Sequence, residues 1–88
     1  MTFGIEADSA SKALAGRMIA GTAGLDDDDA LFVDELWRAG EWDQVGVQLL
    51  SYWLEGRADL DAALVKEAVK LWPDAMGDDL AKRFMALA

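Results

Sequence analysis

Seventeen carboxylates, no histidine and no cysteine set the chemical limits of this 88-residue chain. Eight of those carboxylates crowd into one stretch: Asp26, Asp27, Asp28, Asp29, Asp34, Glu35, Glu41 and Asp43. Paired carboxylates can serve as general acid and base, or hold a divalent cation. Without His or Cys, the usual general base and the commonest intracellular nucleophile are missing. The only serines are Ser9, Ser11 and Ser51. Ser51 has no His to activate it and reads as a small polar residue at a helix crossing. The run Asp26–Asp29 does not make a calcium loop. An EF-hand needs Gly at its sixth position and Glu at its twelfth, and here those positions hold Leu31 and Trp37. The acids fall where helices begin, and capping accounts for them there. The expectation is a protein without catalytic residues, metal or cofactor.

The charge has a map. Residues 1–25 balance Glu6 and Asp8 against Lys12 and Arg17. Residues 62–88 balance Glu67, Asp74, Asp78 and Asp79 against Lys66, Lys70, Lys82 and Arg83. The whole net charge of −9 therefore lies in residues 26–61, where eleven acids face Arg38 and Arg57. A field of that sign repels phosphate, which argues against direct nucleic-acid binding. It suits a basic protein surface.

These residues must be positioned by helices. The chain has 16 Ala, while Val, Ile and Thr together number nine, a ratio that disfavours a sheet. Trp42–Leu54, WDQVGVQLLSYWL, is apolar on nearly every side and reads as the central helix, covered from several directions. Gly46 within it costs about 1 kcal/mol relative to Ala, which points to close packing of a neighbouring helix. A first helix runs from an Asp8 or Ser9 cap to about Ala20, with residues 1–7 loose and a thin face of Ala10, Leu14 and Met18. GTAG at 21–24 is a break, either a flexible joint or a place where helices approach closely. Asp26 caps a second helix to about Ala39, whose core face is Phe32, Val33, Leu36 and Trp37. Gly40 ends it in the left-handed conformation, and so short a turn forces an antiparallel hairpin with the central helix. Gly56 ends the third helix and Asp59 caps a fourth. Its stripe is Leu60, Leu64, Val65, Ala68, Val69 and Trp72, and Pro73 stops it. A short last helix opens at Asp74 or Asp78, with Met76, Leu80, Phe84 and Leu87 on one face. The fold expectation is all-α, one domain over residues 1–88. It is a compact bundle of four to five short helices with a helical hairpin at its centre.

Two fragments resemble a known repeat. GEWDQV at 40–45 resembles the turn of a tetratricopeptide repeat, and KEAVKLWPD at 66–74 resembles the end of one. They are out of phase for a single repeat of about 34 residues, and Tyr52 stands where the pattern wants a small residue. Both read as generic antiparallel helix turns, and no family is assigned. An acyl carrier domain is excluded. Its modified Ser opens the second helix after an Asp, whereas Asp8-Ser9-Ala10 comes at the first.

No apolar run approaches the roughly 20 residues of a membrane span, and the start lacks the basic and apolar regions of a signal peptide. With no Cys, the chain suits the cytoplasm. Four Trp in a small domain is many. Core packing is the default reading, yet Trp is also a preferred interface anchor. One of Trp42, Tyr52 or Trp53 is expected to be partly exposed or buried in a homodimer. The resulting functional expectation is a non-enzymatic domain that binds a basic protein partner. Its surface would be Asp26, Asp27, Asp28, Asp29, Asp34, Glu35, Glu41 and Asp43, with Trp42 beside them. An inhibitor or nucleic-acid mimic of the phage or mobile-element kind fits that surface. The alternative is a structural helical module, a homodimer or adaptor held by apolar contacts.

Overall fold

Helix formers and helix stops divide the chain as the pattern requires. The computed structural model describes residues 2–72 together with 82, 83 and 86. Among these residues lie four helices: α1 (Thr2–Gly21), α2 (Asp27–Arg38), α3 (Trp42–Leu54) and α4 (Ala62–Leu71). The radius of gyration is 12.4 Å, close to the roughly 12 Å of a compact chain of this length. The expected last helix, including Met76, Leu80, Phe84, Leu87 and the Asp79–Arg83 pair, lies outside the described residues.

α3 is the centre. It packs against α1, α2 and α4. Val45, Leu49 and Leu50 are fully buried and Tyr52 nearly so, while Trp42, Val47, Trp53 and Leu54 pack around them half-buried. A helix apolar on most sides is stable in water only when so covered. Ser51 spends its hydroxyl on the carbonyl of Val47, 3.0 Å away, a local bond within the helix.

The hairpin of α2 and α3 is closed by a Schellman turn. The Gly40 N–H donates to the Trp37 carbonyl and the Glu41 N–H to the Leu36 carbonyl, both at 3.1 Å. That geometry needs a left-handed residue, and Gly40 has φ +76°. α3 ends the same way, with Gly56 at φ +75° and the Arg57 N–H bonded to the Tyr52 carbonyl at 2.8 Å.

Gly46 is explained by one side chain rather than by a neighbouring helix backbone. A Cβ there would lie 1.9 Å from Cζ3 of Trp72. The Trp72 ring, buried at the end of α4, lies flush against α3, and its indole N–H donates to Ser11 Oγ on α1 at 2.8 Å. One tryptophan therefore ties three helices together.

Several local expectations need correction. α1 begins at Thr2, earlier than the Asp8 or Ser9 cap, and its buried face is Leu14, Ala15 and Met18, with Ala10 exposed. The cap of α4 is Asp61, whose side chain accepts from the Ala63 N–H, and not Asp59. Asp59 has another task. Its backbone exchanges two hydrogen bonds with Ala23, at 3.1 and 2.8 Å, in an isolated antiparallel bridge. The GTAG break is thus pinned to the α3–α4 connection, and Gly24, at φ +88°, supplies the turn that allows it.

Phe32 is the clearest departure. It was expected in the core face of α2, yet it is 44% exposed. On a helix of about 100° per residue, Phe32, Val33, Leu36 and Trp37 span roughly 140°. α2 packs mainly on α3, with Trp37 reaching Gly16 of α1, so a narrower arc is covered. Asp29 lies within that arc and is buried, while Phe32 falls beyond its edge.

Candidate protein-binding surface

The first turn of α2 separates four consecutive aspartates into three roles. Asp26 is the N-cap: its Oδ1 accepts from the Asp29 N–H at 2.9 Å. Asp27 and Asp28 are exposed and face the positive end of the helix dipole, which favours them there. Asp29 turns inward, is 9% exposed, and forms an ion pair with Arg57 in the α3–α4 connection. Of the four aspartates it is the one turned away from solvent.

The remaining acids follow the helix to its far end. Asp34 pairs with Arg38 at 2.9 Å in the favourable i,i+4 order. Glu35 and Glu41 are exposed, and Asp43 is half-buried in the first turn of α3, where it accepts from the Gln44 N–H at 2.9 Å. Residues 27 and 34, and residues 28 and 35, are seven apart. Each pair therefore shares a column of the helix, separated along its axis by about 10.5 Å. Trp42 is half-buried and braced. Its ring meets Trp37 edge-on at 4.7 Å between centroids, and Lys12 Nζ lies 5.4 Å from its centroid. Outside the core, Asp27, Asp28, Asp34 and Glu35 thus lie on α2, Asp26 caps it, Glu41 stands in the turn after it, and Asp43 follows Trp42 in the first turn of α3. A shallow groove of about 400 Å³ runs alongside, between α1 and α2, with Ile19, Val33 and Trp37 in its walls and Asp34 at its rim.

The outward face also carries two side chains that the sequence pattern placed differently or left unremarked. Leu31 is 59% exposed and Phe32 44% exposed, side by side among the acids. Their exposure follows from the stripe Asp29, Val33, Leu36 and Trp37. Leu31, two residues from both Asp29 and Val33, points away from that stripe, and Phe32 falls outside it once Asp29 is recognised as a member. The signal was hidden because an aspartate does not announce itself as a core residue.

Behind the surface, Asp29, Arg57 and Tyr52 form a linked cluster. The Arg57 guanidinium lies 4.8 Å from the Tyr52 ring centroid and also bonds Glu55 at 3.1 Å. The hydrogen bond to Glu55, with the charges of Asp29 and Glu55, holds Arg57 protonated more firmly than usual. Tyr52 is buried, and burial first, then the nearby Asp29 charge, raises its pKa above 10.0. A tyrosine is neutral while protonated, so a raised folded-state value stabilises the fold fully below pH 10. That contribution is lost as pH climbs through the folded value. Thermal midpoints measured from pH 8 to 11.5 should therefore fall more steeply in the native protein than in a Tyr52→Phe variant. Parallel curves would show that Tyr52 is not the group responsible.

Among the described residues, no group of three or more carboxylates converges as a metal site requires, and no helix is long and apolar enough to cross a membrane. Comparison with family models, with curated proteins and with solved structures finds no match to this chain.

Proposed function

We propose that this chain is a non-enzymatic protein-binding domain. It captures a partner with a basic surface through the acids of α2 and the turn that follows it, and acts as an inhibitor or nucleic-acid mimic of the phage or mobile-element kind. The observation that carries the reading is the charge map: neutral ends, and −9 concentrated in residues 26–61. Five of those carboxylates, Asp27, Asp28, Asp34, Glu35 and Glu41, lie along one helix and its following turn, outside the core, and this supports a surface made for a cation-rich partner. The lack of His and Cys supports a role without catalysis.

A second reading is favoured by a different observation. Ile19, Leu31, Phe32 and Leu71 are large, apolar and exposed, which suits a structural module, a homodimer or adaptor joined by apolar contacts, whose acidity serves solubility.

Salt and charge variants separate the two. Asp26 and Asp29 have structural duties and should be left intact. The variant Asp27→Asn, Asp28→Asn, Asp34→Asn, Glu35→Gln keeps the cap and the buried ion pair. In a pull-down from lysate at low salt, the native protein should retain a basic protein that elutes at high salt, because exposed charge is screened over about 10 Å at 0.1 M. The variant should retain at least tenfold less of that protein. Capture indifferent to salt and to these four changes would overturn the acidic-surface reading. Recovery of nothing but further copies of the chain would support the structural module.

A further inference from the structure

We infer that the outer face of α2 is an anchor for a basic amphipathic helix of the partner, with Leu31 as the central knob. This rests on the acidic-surface reading and adds to it the apolar half of the recognition. The helix neighbours of residue 31 are residues 27, 28, 34 and 35, at i−4, i−3, i+3 and i+4. All four are acids: Asp27, Asp28, Asp34 and Glu35. Among the described residues Leu31 is the most exposed of the large apolar side chains, at 59%, and Phe32 follows it in the chain at 44%. A lone exposed leucine needs no explanation. An exposed leucine enclosed by four carboxylates, with a phenylalanine adjoining, presents an apolar contact framed by negative charge.

The complementary occupant is a helix with an apolar stripe bordered by Lys or Arg. Its stripe would receive Leu31 and Phe32, and its basic borders would meet carboxylates two turns apart, about 10.5 Å along α2. A second copy of this chain does not suit the face. Two such surfaces together would oppose eight carboxylates, with Arg38 on each side already paired to Asp34. Bare nucleic-acid mimicry accounts for the acids and leaves Leu31 and Phe32 without a purpose. The face is also held in place before binding. α2 is capped by Asp26, closed by the turn at Gly40, and pinned from behind by the pair of Asp29 with Arg57. Such preorganisation lowers the ordering cost of association.

The probe is an 18-residue Lys/Leu peptide with leucines at i, i+3, i+4 and i+7, compared by calorimetric titration with a peptide of equal composition whose leucines are scattered around the helix. The native protein should bind the amphipathic peptide at least tenfold more tightly than the scattered one. Leu31→Gln with Phe32→Gln should reduce that preference below twofold, while both peptides still bind in a salt-sensitive way. Gln suits an exposed helix, so the thermal midpoint should hold. A native protein that does not distinguish the peptides, or a double variant that keeps the preference, overturns the inference and leaves the acidic-surface reading intact. If Asp27→Asn, Asp28→Asn, Asp34→Asn, Glu35→Gln leaves both affinities unchanged, the acidic-surface reading itself fails. Sedimentation of the protein alone supplies the last arm. Self-association abolished by the Leu31 and Phe32 changes would assign the face to a second copy and overturn the inference.

Discussion

Gly46→Ala should destabilise the protein by about 2–3 kcal/mol, although Gly to Ala within a helix is ordinarily favourable by about 1 kcal/mol. The reason is the Trp72 ring. The new methyl would lie 1.9 Å from Cζ3, 2.6 Å from Cη2 and 2.7 Å from Cε3. The ring cannot slide aside freely, because it is 5% exposed and its N–H is bonded to Ser11. Overpacking a closed core costs about 1–3 kcal/mol, occasionally more, and expelling a buried tryptophan altogether costs about 3–5 kcal/mol. Either route outweighs the propensity gain. At about 4–8 °C per kcal/mol for a domain of this size, the thermal midpoint should fall by roughly 8–24 °C. The decisive comparison is the same change beside Trp72→Ala. With the ring gone, its three short contacts go too, and Gly46→Ala should become stabilising by up to about 1 kcal/mol. A stabilising effect in the native background would mean that Trp72 does not lie over Gly46.

Gly46 also shows how far sequence reasoning reached. A glycine in the most apolar helix pointed to close packing of a neighbouring helix, and what packs there is one side chain, Trp72, just past the end of α4. Its identity was out of reach because Trp72 is 26 residues away and its approach depends on where α4 ends. The mostly helical fold, the bounds of α3, the Asp26 cap and the Gly40 turn were all legible, because each rests on local rules of periodicity and capping. The failures share a different cause. Asp59 and Asp61 are both credible caps, and the choice was made by a long-range bridge to Ala23. Phe32 and Asp29 exchanged places between core and surface because α2 covers a narrow arc, and because Arg57, 28 residues later, gives Asp29 a buried partner. In the candidate surface, the run of acids was plain to read. That one of its members faces inward, and that Leu31 stands at its centre, required the orientation of α2 about its own axis. Hydrophobicity alone misplaces that orientation when a charged residue is part of the buried stripe.

Asp29→Ala is the second change with a large expected effect, and its size depends on how many duties one carboxylate combines. Asp29 sits at the third position of α2, where negative charge favours the helix dipole by about 0.3–1 kcal/mol. Its carboxylate accepts from Arg57, and a hydrogen bond to a charged group contributes about 1.5–3 kcal/mol. The upper part of that range is not reached, because the Arg57 side chain is 45% exposed and finds water when its partner is removed. Ala returns several tenths of a kcal/mol in helix propensity. The expected loss is about 2 kcal/mol, or roughly 8–16 °C in thermal midpoint. Asp28→Ala, one residue earlier and exposed, should cost less than about 1 kcal/mol, since it gives up the dipole interaction alone. The contrast is the test, because both changes remove one negative charge from the same turn. If chemical denaturation shows equal losses, Asp29 is not buried against Arg57. If Asp29→Ala alone is costly, the aspartate run is divided between one residue that holds the α3–α4 connection and its neighbours, which remain free to meet a partner. Thermal stability and partner capture should then separate: Asp29→Ala lowers the first, while Asp27→Asn, Asp28→Asn, Asp34→Asn, Glu35→Gln lowers the second.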